Sequence, residues 1–225
     1  MKWFKNNWLW LLINIIVLLP ILSVFAQFRI DLFGTGQLIS MELPQQILEM
    51  KNNPEFAGRE ISALGFAIKS TGEWSIRWLV ACLSITPLFV LFANNRILRY
   101  RKMFGLYAFA YAFLHTLFFI AERGFIQIFD EFNFILGLIS LLIMIALALT
   151  SNKWSMKTLG RNWKKLQKFV YAASILAVLH LMLIDHGGSW VLYAVIMSVG
   201  FVLRLPKIRE FFEKRRLPRL VPIQE

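Results

Sequence analysis

His115, His180 and His186 are the three histidines of this 225-residue chain, and Cys82 is its single cysteine. His115 and His180 interrupt apolar runs long enough to enter a bilayer. An ionisable group at that depth is costly, so each is a candidate ligand or relay. From the basic flank at Met103, His115 lies about 12 residues, or ~18 Å, along its run. From Gln167, His180 lies about 13 residues, or ~20 Å, along its own. Two imidazoles at one level on separate helices suit bis-histidine ligation of a heme iron. The same spacing also suits two histidines that each hydrogen-bond a neighbouring helix.

Tyr107, Tyr111 and His115 follow at i, i+4 and share a helix face, which lines a cofactor cavity or packs between helices. His186, between Asp185 and Gly187-Gly188, reads first as a solvated turn residue. A replacement ligand and a contact for an external partner are its alternatives.

Other chemistries are excluded by what is missing. One cysteine rules out an internal disulfide and a cysteine-ligated cluster. Glu122, Asp130 and Glu131 have no histidine or cysteine close in sequence for a metal site. No Gly-rich phosphate loop or dinucleotide fingerprint occurs. If the chain moves electrons, it takes them from quinol, a flavin or a separate reductase.

The elements that must position these residues are membrane spans. The chain is 58% hydrophobic and 17% charged, against about 25% charged in soluble domains. Six runs are long enough, or nearly so, to cross: 8–26, 74–93, 103–121, 132–150, 169–184 and 190–205. Helix is required because the backbone must satisfy itself in lipid, and no period-two alternation suggests a barrel. The fold class is an all-α integral membrane six-helix bundle.

Charge sets the orientation. Lys2 and Lys5 precede the first span, and Arg96, Arg99, Arg101 and Lys102 lie between the second and third. Six basic residues lie between Lys153 and Lys168, and seven between Arg204 and Arg219. The other side holds six, with ten of the thirteen acids. Basic connections stay in the cytoplasm, which places both the N- and C-termini there. The net charge of +12 is then an anchoring fringe for the lipid bilayer, and nucleic acid is not a partner.

Residues 1–26 form the first helix. A cleavable signal peptide is the alternative, which would leave five spans and a periplasmic N-terminus; the length of the run and Pro20 favour retention. Residues 27–73 are an outer, periplasmic connection with a short surface helix expected over Glu42–Met50, after Pro44. Residues 74–205 form the remaining bundle and 206–225 a basic tail. No internal repeat is apparent.

Ordered landmarks run from Thr71 to Leu205. Thr71-Gly72-Glu73-Trp74 opens the second span and Ile85-Thr86-Pro87 closes it. Arg101 to Leu106 reads RKMFGL, and Ala112-Phe113-Leu114-His115 follows. Next come Leu147 to Ser151, Leu159 to Leu166, and Phe169-Val170-Tyr171 leading to His180. On these residues the chain resembles the MsrQ (YedZ) family, a branch of the ferric-reductase-like transmembrane group.

The resemblance implies a six-helix bundle carrying heme b in the bacterial inner membrane. It implies an electron-transfer subunit rather than a self-contained enzyme, with no acid–base catalytic residue. Electrons would pass from quinol or a cytoplasmic flavin reductase to a periplasmic molybdopterin enzyme (MsrP-like) that reduces methionine sulfoxide. FMN or quinone is then a further cofactor. By the same resemblance His115 and His180 are the axial ligands, with heme between the third and fifth helices. The departure is Gln167, where the family pattern has a histidine thirteen positions before the next one. An inner heme loses its protein ligand there, so one heme is expected and a second is in question. Arg101, fourteen residues before His115, is a candidate to hold a heme propionate; ordinary cytoplasmic charge is its alternative. Two other functions stay open: a non-redox membrane scaffold or assembly protein, and a ferric reductase with a different acceptor.

Overall fold

The computed structural model describes residues 2–26, 28–30, 39–41, 62–184 and 188–216. The surface helix expected over Glu42–Met50 lies outside them, as does His186. In chain order the elements are α1 (Lys2–Phe25), β1 (Phe28–Ile30), β2 (Ile39–Met41), α2 (Ala63–Phe92) and α3 (Leu98–Arg123). Then follow α4 (Phe132–Leu149), α5 (Lys153–Leu159), α6 (Arg161–Gln167), α7 (Val170–Ile184), α8 (Ser189–Val202) and α9 (Pro206–Arg216). Among the described residues the regular elements are helices apart from β1 and β2, which pair antiparallel with Phe28 opposite Met41.

Four helical stretches are long and apolar enough to cross a membrane: Ala63–Phe92, Asn95–Arg123, Phe132–Leu149 and Arg161–Ile184. The pair Ser189–Val202 and Pro206–Phe212, bent by 71°, is a fifth if it counts as one span. Trp10–Phe25 of α1 is a shorter apolar stretch. Leu142, Leu149, Val195 and Ile15 are exposed on these helices, the arrangement expected of side chains that face lipid rather than water. The chain is a multi-pass membrane protein.

Two compact units are described separately. The first comprises Met1–Trp74 and Tyr111–Phe125. In it α2 begins at Ala63, eleven residues before the expected start at Trp74. Lys69 and Glu73 make this turn look polar, but Leu64, Ala67, Ile68 and Thr71 recur at helical spacing on one face. Ala67 packs with Val24 and Phe118, and Leu64, Ile68 and Leu114 surround them. Ser62 Oγ accepts from the Gly65 N–H at 2.8 Å, as an N-cap does, and itself donates to Glu122.

The second unit comprises Ser75–Ala110 and Ile126–Glu225. Here α4 packs on α7, burying Leu136, Ser140, Leu141, Met144 and Leu147 along one stripe. Small residues let the two backbones approach, with Ala173 and Ser174 fully buried. Pro87 lies inside α2 and has no N–H to give the carbonyl four residues earlier, that of Leu83. Arg204 supplies the missing donor: its Nη2 donates to Leu83 O, and its Nη1 to Gly200 O at 3.2 Å. The chain breaks between α5 and α6 at Gly160, whose φ of 51° suits a residue without a Cβ.

Candidate functional site

His115 lies on α3, half-buried, with Nδ1 2.8 Å from the backbone carbonyl of Ile68 on α2. A carbonyl only accepts, so Nδ1 carries the proton and the ring lone pair sits on Nε2. This contact requires the ring to lie against the α2 backbone one turn further on. Gly72 provides the room: a Cβ there would stand 2.9 Å from Nδ1 and 3.1 Å from Cε1.

His180 on α7 repeats the arrangement against α4. Its Nδ1 lies 2.6 Å from the carbonyl of Asn133. A Cβ on Gly137 would stand 2.9 Å from Cε1, 3.0 Å from Nδ1 and 3.3 Å from Nε2. This imidazole too holds its proton on Nδ1 and presents Nε2 as the donor atom.

The two sites are copies of one local design. Each histidine is 47 residues from its carbonyl acceptor, and each glycine follows that acceptor by four positions. A serine three residues beyond each glycine adds a second tie. Ser75 Oγ donates to Ala108 O at 3.0 Å and Ser140 Oγ to Ala173 O at 2.9 Å, each across 33 residues. The whole set is displaced by a constant 65 positions, from His115 to His180. This corrects the expectation of no internal repeat. The signal was present as Gly72-x-x-Ser75 with Ala108…Leu114-His115, against Gly137-x-x-Ser140 with Ala173…Leu179-His180. Two conserved spacings across four helices are too sparse to stand out where leucine and alanine abound.

The tyrosines divide. Tyr111 is fully buried and donates its hydroxyl to Val17 O on α1 at 2.6 Å, so it packs and staples. Tyr107 lies beside the Trp78 ring, 6.4 Å between centroids.

Arg101 and Gln167 line a separate cavity of about 500 Å³ in the second unit. The Gln167 side-chain amide donates to Leu147 O at 3.4 Å and to Thr150 Oγ1 at 3.3 Å. Trp163 Nε1 donates to Thr150 O at 2.8 Å. Both side chains thus serve the carbonyl end of α4. The cavity lining contains no imidazole, so it does not fit a histidine-ligated heme. His115 and His180 do fit one in donor type and tautomer. Among the described residues no group of three or more His, Cys, Asp or Glu could hold a metal ion.

Residues 71–178 match the family described as ferric reductase like transmembrane component. The protein-methionine-sulfoxide reductase heme-binding subunit MsrQ of Agrobacterium fabrum is 35% identical over 156 residues, 64% of this chain and 72% of that protein. The MsrQ of Bordetella pertussis is 38% identical over 130 residues, covering 55% and 63%. That of Brucella ovis is 35% identical over 162 residues, covering 67% and 71%. With the ordered landmarks, the repeated histidine sites and this likeness together, the chain belongs to the MsrQ family.

Proposed function

We propose that this protein is a heme b electron-transfer subunit of the bacterial inner membrane, with six spans and both termini cytoplasmic. It passes electrons from quinol or reduced flavin to a periplasmic molybdopterin methionine-sulfoxide reductase. That the relatives are heme-binding subunits of a protein-methionine-sulfoxide reductase supports the heme and the reductase system. The observation that carries the reading is the pair of imidazoles, each donating its Nδ1–H to a backbone carbonyl. His115 and His180 would then hold the heme iron through Nε2. The Ile68 and Asn133 carbonyls fix ring orientation and raise the donor strength of Nε2, as outer partners of metal-bound histidines do. Bound heme would supply a one-electron iron couple.

The test is the reduced-minus-oxidised absorption spectrum of the purified protein and of His115→Ala and His180→Ala. Wild type is expected to show a heme b alpha band, and each variant to lose it. A normal low-spin spectrum in both variants refutes the ligand assignment.

A second reading is a scaffold or assembly protein without electron flow. Gln167 favours it, because its amide is engaged at the end of α4 where the family pattern has a histidine. Absence of any redox-dependent alpha band in wild type selects it. A ferric reductase, favoured by the matched family description, differs only in acceptor, and reduction of external ferric chelate by loaded vesicles distinguishes it.

A further inference from the structure

The cavity of about 500 Å³ has the size of a small-ligand pocket, yet its walls do not suit a heme. Its charge is one-sided. Arg101, Lys102, Lys153, Lys164 and Lys168 line it, and no carboxylate does. An occupant that carries negative charge would offset the mutual repulsion of these cations. Its interior is apolar, with Leu79, Met144, Leu147 and Val170 on three of the long helices. The occupant must therefore carry an apolar part as well.

Position along the chain orders these two requirements. Arg101 lies in the first turn of α3, Lys153 opens α5 just after α4 ends, and Lys168 lies just before α7. The cations thus stand where spans meet the membrane surface, while Leu79 and Met144 lie inside their helices. A further cation stands behind the wall: the Arg204 guanidinium sits 5.3 Å over the ring of Tyr171, a lining residue. Its Nε is buried without a hydrogen-bond partner among the described residues.

We propose that this cavity binds an anionic phospholipid, its phosphate among the basic residues and the first carbons of its chains on the apolar wall. Basic pockets between spans on the cytoplasmic side recognise such headgroups. A neutral quinone would leave the cations uncompensated. Free phosphate would leave the apolar wall unused.

The test uses the full chain, purified in detergent and offered phosphatidylglycerol or phosphatidylcholine, with retained lipid counted by mass spectrometry. Wild type is expected to keep about one phosphatidylglycerol per chain in preference to phosphatidylcholine. The double variant Lys164→Gln/Lys168→Gln is expected to retain it on the order of 10- to 30-fold more weakly. Ala148→Trp, which fills the recess and keeps every charge, is expected to expel it with helix content unchanged. Equal retention of both lipids, or no effect in either variant, overturns the proposal. So does complete displacement by millimolar inorganic phosphate. A second heme per wild-type chain that Ala148→Trp removes overturns it too, by giving the cavity a different occupant. Heme content measured on the same samples separates failure here from failure of the electron-transfer reading.

Discussion

Ile68 O and Asn133 O lie in helical segments and each accepts a further hydrogen bond from an imidazole. Nothing but a missing Cβ lets a ring come that close to a helix backbone. Gly72→Ala and Gly137→Ala should each force the facing ring off its carbonyl, because the new Cβ meets ring atoms at 2.9 Å. Such overpacking costs about 1–3 kcal/mol. The expected result is lower heme occupancy per chain at unchanged helix content, read by pyridine hemochrome assay beside circular dichroism. Normal occupancy and an unshifted midpoint potential in both variants would remove the glycines from the site. The histidines themselves are legible in the sequence, since an ionisable side chain in an apolar run demands a reason. Their partners are not: a backbone carbonyl leaves no mark in residue type, and a glycine in a helix of a membrane protein has many ordinary explanations.

Among the helices, one bond ties α2 to the stretch that follows α8. Pro87 withholds the N–H that Leu83 O would receive, and Arg204 reaches that carbonyl across 121 positions. Arg204→Ala should therefore leave Leu83 O unsatisfied, at about 1.5–3 kcal/mol for a lost charged hydrogen bond. Pro87→Ala restores the N–H, so the double variant should recover part of that loss. Part only, because Arg204 also lies over Tyr171 and Phe201. Thermal unfolding in detergent reads all four members of the cycle; strict additivity sinks this account. The proline and the arginine are each visible in the sequence, but their pairing is not, since it depends on how distant helices pack. Four of the six expected spans were legible for a simpler reason. Eighteen residues of α4 without a charge leave few other places to be. The start of α2 at Ala63 is less legible, because Lys69 and Glu73 hide an apolar face at 64, 67, 68 and 71.

For the molecule as a whole, the direction of electron flow depends on which connections face which compartment. On the proposed orientation the basic residues between α4 and α7 and after α8 would lie on the cytoplasmic side, since such loops resist translocation. The turn between α3 and α4 holds Gln127 and Asp130 and would then lie on the periplasmic side. Cys82 is the single native cysteine and is 5% exposed, so it contributes little background to thiol labelling. Gln127 and Lys157 are both exposed and lie in opposite classes of connection. With Gln127→Cys, a membrane-impermeant maleimide should label intact cells once the outer membrane is opened. With Lys157→Cys, labelling should wait until the inner membrane is also breached. The reverse order would invert the bundle and direct electrons inward, which no periplasmic acceptor could use. Equal labelling of both would place the two connections on one side, which would mean that α4, the one long helix between them, does not cross. The charge asymmetry makes the first outcome the expected one, because it involves several separate connections that all agree in sign.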